Sequence, residues 1–78
     1  MLTIYSTPWC GHCTRLKGAL TREGIDFRDV DIEQDADAAD YVMSVNGGSA
    51  TVPTIVLPDG STLTNPELPT LLDALRAA

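Results

Sequence analysis

A chain of 78 residues with 44% apolar side chains supports one small globular domain with one core. Its net charge of −6 argues against a nucleic-acid or anionic-membrane partner, and no segment approaches the ~18 apolar residues of a membrane span. Met1 to Ser6 shows no basic stretch followed by an apolar run, so no signal peptide is expected and the reducing cytosol is the expected compartment.

Leu2-Thr3-Ile4-Tyr5-Ser6 alternates and is rich in β-formers, so it predicts a first strand, broken at Thr7-Pro8-Trp9. A helix is expected from about Cys10 to Arg22 or Glu23, with Cys13, Leu16 and Leu20 on one face and Gly24 as its stop. Ile25 to Ile32 predicts a second strand, with Phe27 and either Val30 or Ile32 inward. Gln34 to about Val45 predicts a second helix with Ala38, Ala39, Val42 and Val45 inside, ended by Asn46-Gly47-Gly48-Ser49. Pro53 to Leu57 and Ser61 to Thr64, joined by the turn signal Pro58-Asp59-Gly60, predict a β-hairpin. Asn65 is expected to cap a last helix with Pro66 at its first position, or the regular helix begins only at Pro69, and Leu68, Leu71, Leu72 and Leu75 form its apolar stripe. The order is βαβαββα: an α/β fold with a mixed four-stranded sheet flanked by three helices.

Seven of the eleven acids fall between Asp26 and Asp40, and four of the five bases between Arg15 and Arg28. The acidic run reads as a solvated face.

The only two cysteines stand at Cys10-Gly11-His12-Cys13, where the first helix opens. A bridge across so short a loop restrains little chain entropy, so the pair suits exchange chemistry better than stapling. The unpaired N–H groups and dipole of a helix start favour a thiolate at Cys10, the expected nucleophile. Cys13, one turn further in, is the expected resolving thiol. Arg15 and Lys17 add a weak cationic field or simply face solvent. Gly11 permits close backbone approach by a disulfide partner. A protonated His12 would add positive charge beside the thiolate; an exposed one would do little. Trp9 is either a flat platform for a bound thiol or packed under the helix. A closed zinc site needs four ligands where this chain offers two Cys and one His, and a subunit-bridging iron–sulfur cluster needs a second chain.

A strand, a Cys-x-x-Cys at a helix start and a later Thr51-Val52-Pro53 before a strand together resemble the thioredoxin superfamily. The chain has no counterpart of the extra N-terminal strand and helix of thioredoxins and is similar over nearly its whole length to a glutaredoxin, implying a minimal thioredoxin-like fold over residues 1–78. The resemblance implies a cis bond before Pro53, with the Thr51-Val52 backbone extended opposite Cys10 to pair with a bound thiol compound or peptide. Glutathione-using glutaredoxins commonly carry a lysine where Thr7 stands, and a Gly-Gly then Asp-Asp type segment where Leu63-Thr64-Asn65-Pro66 stands. Ser44 to Gly48, Thr51 to Thr54, Asp59-Gly60-Ser61 and Thr64-Asn65-Pro66 look like the actinobacterial mycoredoxins, with His12 a departure from them. That resemblance implies a reductase of protein–mycothiol mixed disulfides. Mycothiol, or glutathione, is then the co-substrate, and no cofactor or metal is bound. A neutral rim of Thr7, Thr64 and Asn65 would meet the thiol's head group. The expected partners are mixed-disulfide protein clients and a separate NADPH-dependent reductase, because the chain has no dinucleotide motif; the expected state is a monomer. Beside this reading stand a glutathione-dependent glutaredoxin and two further rivals. One is a small redoxin reduced by thioredoxin reductase, whose usual Trp-Ser-Gly-Phe type stretch is not matched by Thr64-Asn65-Pro66-Glu67. The other is a non-catalytic iron–sulfur carrier.

Overall fold

The computed structural model describes residues 1–77. In chain order it contains β1 (Leu2–Ser6), α1 (Gly11–Arg22), β2 (Phe27–Asp31), α2 (Ala36–Val45), β3 (Thr54–Val56), β4 (Thr62–Thr64) and α3 (Leu68–Ala77). The sheet order is β2-β1-β3-β4. β1 and β2 run parallel, with Leu2 opposite Phe27 and Ser6 opposite Asp31. β3 is antiparallel to both β1 and β4. The four-stranded mixed sheet with three helices is the thioredoxin-like architecture expected.

Strand alternation sends neighbouring residues to opposite faces, so the apolar side chains form two clusters where one core was expected. Leu2, Ile4, Ile55 and Leu57 join Leu16 and Leu20 of α1 and Leu71 of α3. Ile32 packs with Ala38 and Val42 of α2, with Tyr5, Val30 and Val52 beside them. This resolves the phase of β2: Phe27 joins the first cluster, and Val30 and Ile32 join the second. The Tyr5 and Tyr41 rings, 5.3 Å apart, complete the α2 side. Burying a Leu or Ile fully is worth about 1.5–3 kcal/mol, so the wholly enclosed Ile4, Leu20, Ile55 and Leu71 anchor the first layer.

Two expectations need correction. Val45 is 37% exposed, because the last turn of α2 runs past the edge of the cluster it was assigned to. Asn65 does not cap α3. Its φ is +48°, whereas a capping residue needs extended backbone, and its N–H is spent on the Pro53 carbonyl at 2.8 Å. The helix starts at Leu68, with the Glu67 carbonyl accepting from Leu71. Pro69 then sits in the first turn, where a missing N–H costs nothing.

Candidate functional site

The site is built where β1 ends and α1 begins. Thr7-Pro8-Trp9 turns the chain, and the Cys10 N–H donates to the Thr7 carbonyl at 3.3 Å. Cys10 is the residue before the helix, with φ −82° and ψ 106°, and its Sγ accepts from the Cys13 N–H at 3.2 Å. A sulfur in the capping position faces the unpaired donors of the first turn, which is where a thiolate is best stabilised. No acidic residue occupies that turn to compete. Cys10 is half-buried; Cys13 is wholly buried, and both are free thiols.

The two thiols are therefore chemically unequal. Burial pushes Cys13 up to about 12 from the usual 9.0, and the Cys10 side chain adds to the rise, while the Thr7 main chain and the Lys17 charge oppose it. Cys13 stays protonated near neutral pH and is shielded, as a resolving thiol should be before its partner sulfur has reacted.

The neighbouring cations are less free than expected. Lys17 Nζ lies 2.9 Å from the Asp29 carboxylate, which also accepts from the buried Ser6 hydroxyl at 2.7 Å. Burial pushes the Asp29 carboxyl up, but Ser6 and Lys17 together outweigh it and hold it below the usual carboxylate range. Arg15 turns to His12, with Nη2 3.4 Å from Nδ1.

Thr7 is only 4% exposed, and its hydroxyl is buried without a partner in the chain. It therefore cannot form part of an exposed rim, as its position tight behind Cys10 now makes plain. Trp9 is 71% exposed and not packed under the helix; its Nε1 donates to Glu33 at 2.8 Å, which holds the ring on the surface next to Cys10. His12 is half-buried, and its Nε2 meets the Pro66 carbonyl at 2.8 Å.

The bond from Val52 to Pro53 is cis. Pro53 is buried, and Thr51 and Val52 are half-buried. The Thr51 carbonyl accepts from the Thr54 hydroxyl at 2.8 Å, and its own hydroxyl pairs with Ser49. Thr64 and Asn65 are exposed and uncharged. Sequence reasoning missed the residue that joins these pieces. Asn46 Nδ2 donates to the Val42 carbonyl at 2.8 Å and to Thr54 Oγ1 at 3.0 Å, and Asn46 Oδ1 accepts from the Thr64 hydroxyl. One side chain thus ties the end of α2 to β3 and β4. Its only local signal was an amide beside the glycines that end a helix, which marks a stop and not a cross-link.

A groove of about 380 Å³ between α1 and α3 is lined by His12, Arg15, Leu16, Leu68 and Pro69, among others, and excludes both cysteines. Of the Cys10–Cys13 segment it is lined by His12 alone. Among the described residues no three His, Cys, Asp or Glu side chains converge as metal ligands, and no helix is long and apolar enough to cross a membrane.

Residues 2–61 match the glutaredoxin family model. Over 65 residues the chain is 62% identical to a Mycobacterium tuberculosis H37Rv protein provisionally named a glutaredoxin, covering 83% of this chain and 77% of that one. Over 65 residues it is 42% identical to mycoredoxin 1 of Corynebacterium glutamicum, covering 83% and 80%. The solved glutaredoxin of Archaeoglobus fulgidus superposes with a TM-score of 0.80 at 29% identity, covering 96% of this chain and 85% of that one. A capping Cys10 over a buried Cys13, on this fold and in this company, places the chain in the glutaredoxin family of thiol–disulfide oxidoreductases.

Proposed function

We propose that this protein reduces mixed disulfides between proteins and mycothiol. The observation that carries the reading is the uncharged, exposed pair Thr64 and Asn65, on a turn bonded to Pro53, which suits a polyhydroxyl head better than a charged tripeptide. The similarity to a mycoredoxin supports it. Thr51, Val52 and Pro53 offer the backbone along which the bound thiol lies, and Trp9 its flat outer wall.

The Cys10 thiolate attacks the mycothiol sulfur of the mixed disulfide. The protein thiolate leaves and takes a proton, and mycothiol is carried as a disulfide on Cys10. A second mycothiol thiolate attacks the carried sulfur, which regenerates the Cys10 thiolate and releases mycothiol disulfide. One free mycothiol is consumed for each protein thiol released, and a separate NADPH-dependent reductase supplies the two electrons that return the mycothiol disulfide to two mycothiols. Cys13, held as a thiol, stands outside this cycle. It enters when its own thiolate displaces the carried mycothiol and closes the bridge to Cys10. In this reading the protein works as a monomer in the cytosol.

The test supplies one mixed-disulfide substrate with mycothiol and its reductase, with glutathione and its reductase, or with thioredoxin reductase alone. Mycothiol should give the highest kcat/KM, and preference for either other donor defeats the reading. Cys10→Ser should abolish turnover and Cys13→Ser should leave it largely intact; loss in Cys13→Ser would instead show a dithiol route.

A further inference from the structure

The residue that fits no expected role is His12. Both its ring nitrogens are occupied within the chain: Nε2 at the Pro66 carbonyl, 2.8 Å away, and Nδ1 at the Arg15 guanidinium, 3.4 Å away. A carbonyl only accepts and a guanidinium only donates, so the pairing fits the neutral ring protonated on Nε2. The proton then points at the Pro66 carbonyl, in the turn after β4.

That turn is fastened at three consecutive residues. Thr64 donates its hydroxyl to Asn46, Asn65 donates its N–H to the Pro53 carbonyl at 2.8 Å, and the Pro66 carbonyl accepts from His12. Two of these bonds tie the turn to the α2 end and to β3's approach. The third crosses 54 positions in the chain and is the one that reaches the Cys10–Cys13 spacer. Pro66 is itself buried, so its carbonyl is held in place for the bond.

We propose that His12 is a positioning residue: it latches the Cys10–Cys13 spacer to the Thr64–Pro66 turn, so that the reacting sulfur and the contact for the thiol's head group share one rigid frame. This rests on the reading that Thr64 and Asn65 meet that head group. A latch of this kind lowers the ordering cost of binding without touching the sulfur chemistry. It stands in place of both sequence alternatives for His12, a charge beside the thiolate or an exposed side chain of little influence.

The test compares wild type, His12→Gln and His12→Leu. Gln keeps an N–H of similar reach and Leu keeps bulk alone. KM for the low-molecular-weight thiol should rise about fivefold to tenfold in His12→Leu, the worth of one hydrogen bond, and recover in His12→Gln. The Asn65 amide should exchange faster with solvent in His12→Leu, and the Cys10–Cys13 midpoint potential should not move in either variant. KM is read with whichever of mycothiol and glutathione the wild type prefers, so a preference for glutathione defeats the mycothiol reading and leaves this one standing. Equal KM in all three proteins, or a potential that shifts alike in Gln and Leu, overturns the latch. If His12→Leu does not fold, ¹⁵N shifts of the wild-type ring decide: the Nε2–H tautomer supports the latch, and the Nδ1–H tautomer overturns it.

Discussion

Replacing Asn46 tests the reasoning about the site's scaffold most directly. Its amide makes three bonds: to the Val42 carbonyl, to Thr54 Oγ1 and from the Thr64 hydroxyl. Thr64 is exposed, so water repairs that bond in a truncation variant. Thr54 is wholly buried, yet it keeps its donation to the Thr51 carbonyl and is not orphaned. Two half-buried bonds are then lost in full, each worth about 0.5–1.5 kcal/mol net. Asn46→Ala should cost about 2 kcal/mol, and at this chain length that lowers Tm by about 8–16 °C. Asn46→Asp is the sharper probe. It has nearly the same shape and still accepts from Thr64, but its carboxylate faces two oxygens where an N–H₂ stood. It should be at least as unstable as Asn46→Ala at pH 7. Repulsion and partial burial raise the new carboxyl above its unfolded value, so the charged form carries the penalty. The deficit relative to Ala should shrink as pH falls through the folded value toward about 4 and grow as pH rises. Urea unfolding of both variants from pH 4 to pH 8 reads these numbers. A loss below about 0.5 kcal/mol in Asn46→Ala, or an Asp variant more stable than Ala at pH 7, would refute the network.

Three further outcomes follow from the burial and charges around the site. Native reduced protein treated with iodoacetamide at pH 8 should be alkylated at Cys10 alone, and unfolded protein at both cysteines, as peptide mapping reads. Because burial raises Cys13 from 9.0 to about 12, its contribution to stability is complete below pH 9 and is lost as pH rises toward 12. Cys13→Ala should lack that alkaline slope. Lys17→Met should cost about 0.5–1 kcal/mol, a figure discounted because the paired side chains are 24% and 43% exposed. The cost should shrink in about 1 M salt. Asp29 is held below 3.8, so its contribution is present above that pH and lost below it. Lys17→Met should therefore narrow the difference in stability between pH 6 and pH 3.

Much of this molecule was legible along the chain, because the signals were local. Alternation in Leu2–Ser6, helical spacing through Leu16 and Leu20, and the Pro58-Asp59-Gly60 turn each speak of their own neighbourhood. They determined the βαβαββα order, and the spacing of Cys10 and Cys13 at a helix start determined which thiol is the less buried. What failed depended on contacts distant in sequence. Asn65 and Pro66 look locally like a cap and a first turn. Tertiary structure uses the Asn65 N–H at Pro53 and the Pro66 carbonyl at His12, and the helix starts later. Thr7 reads as rim because it stands where glutathione-using glutaredoxins commonly carry a lysine; the end of β1 buries it. Lys17 and Arg15 looked free because their partners, Asp29 and His12, come within reach only once β2 pairs with β1 and the helix winds. Asn46 shows along the chain only as a helix stop, since Thr54 and Thr64 lie 8 and 18 residues away and come within its reach only when β3 and β4 join the sheet. Local propensity and spacing thus decided the elements and the unequal cysteines. Tertiary folding decided which polar groups are spent holding loops together and which remain exposed, because a hydrogen bond needs its two partners in space and propensity names only one.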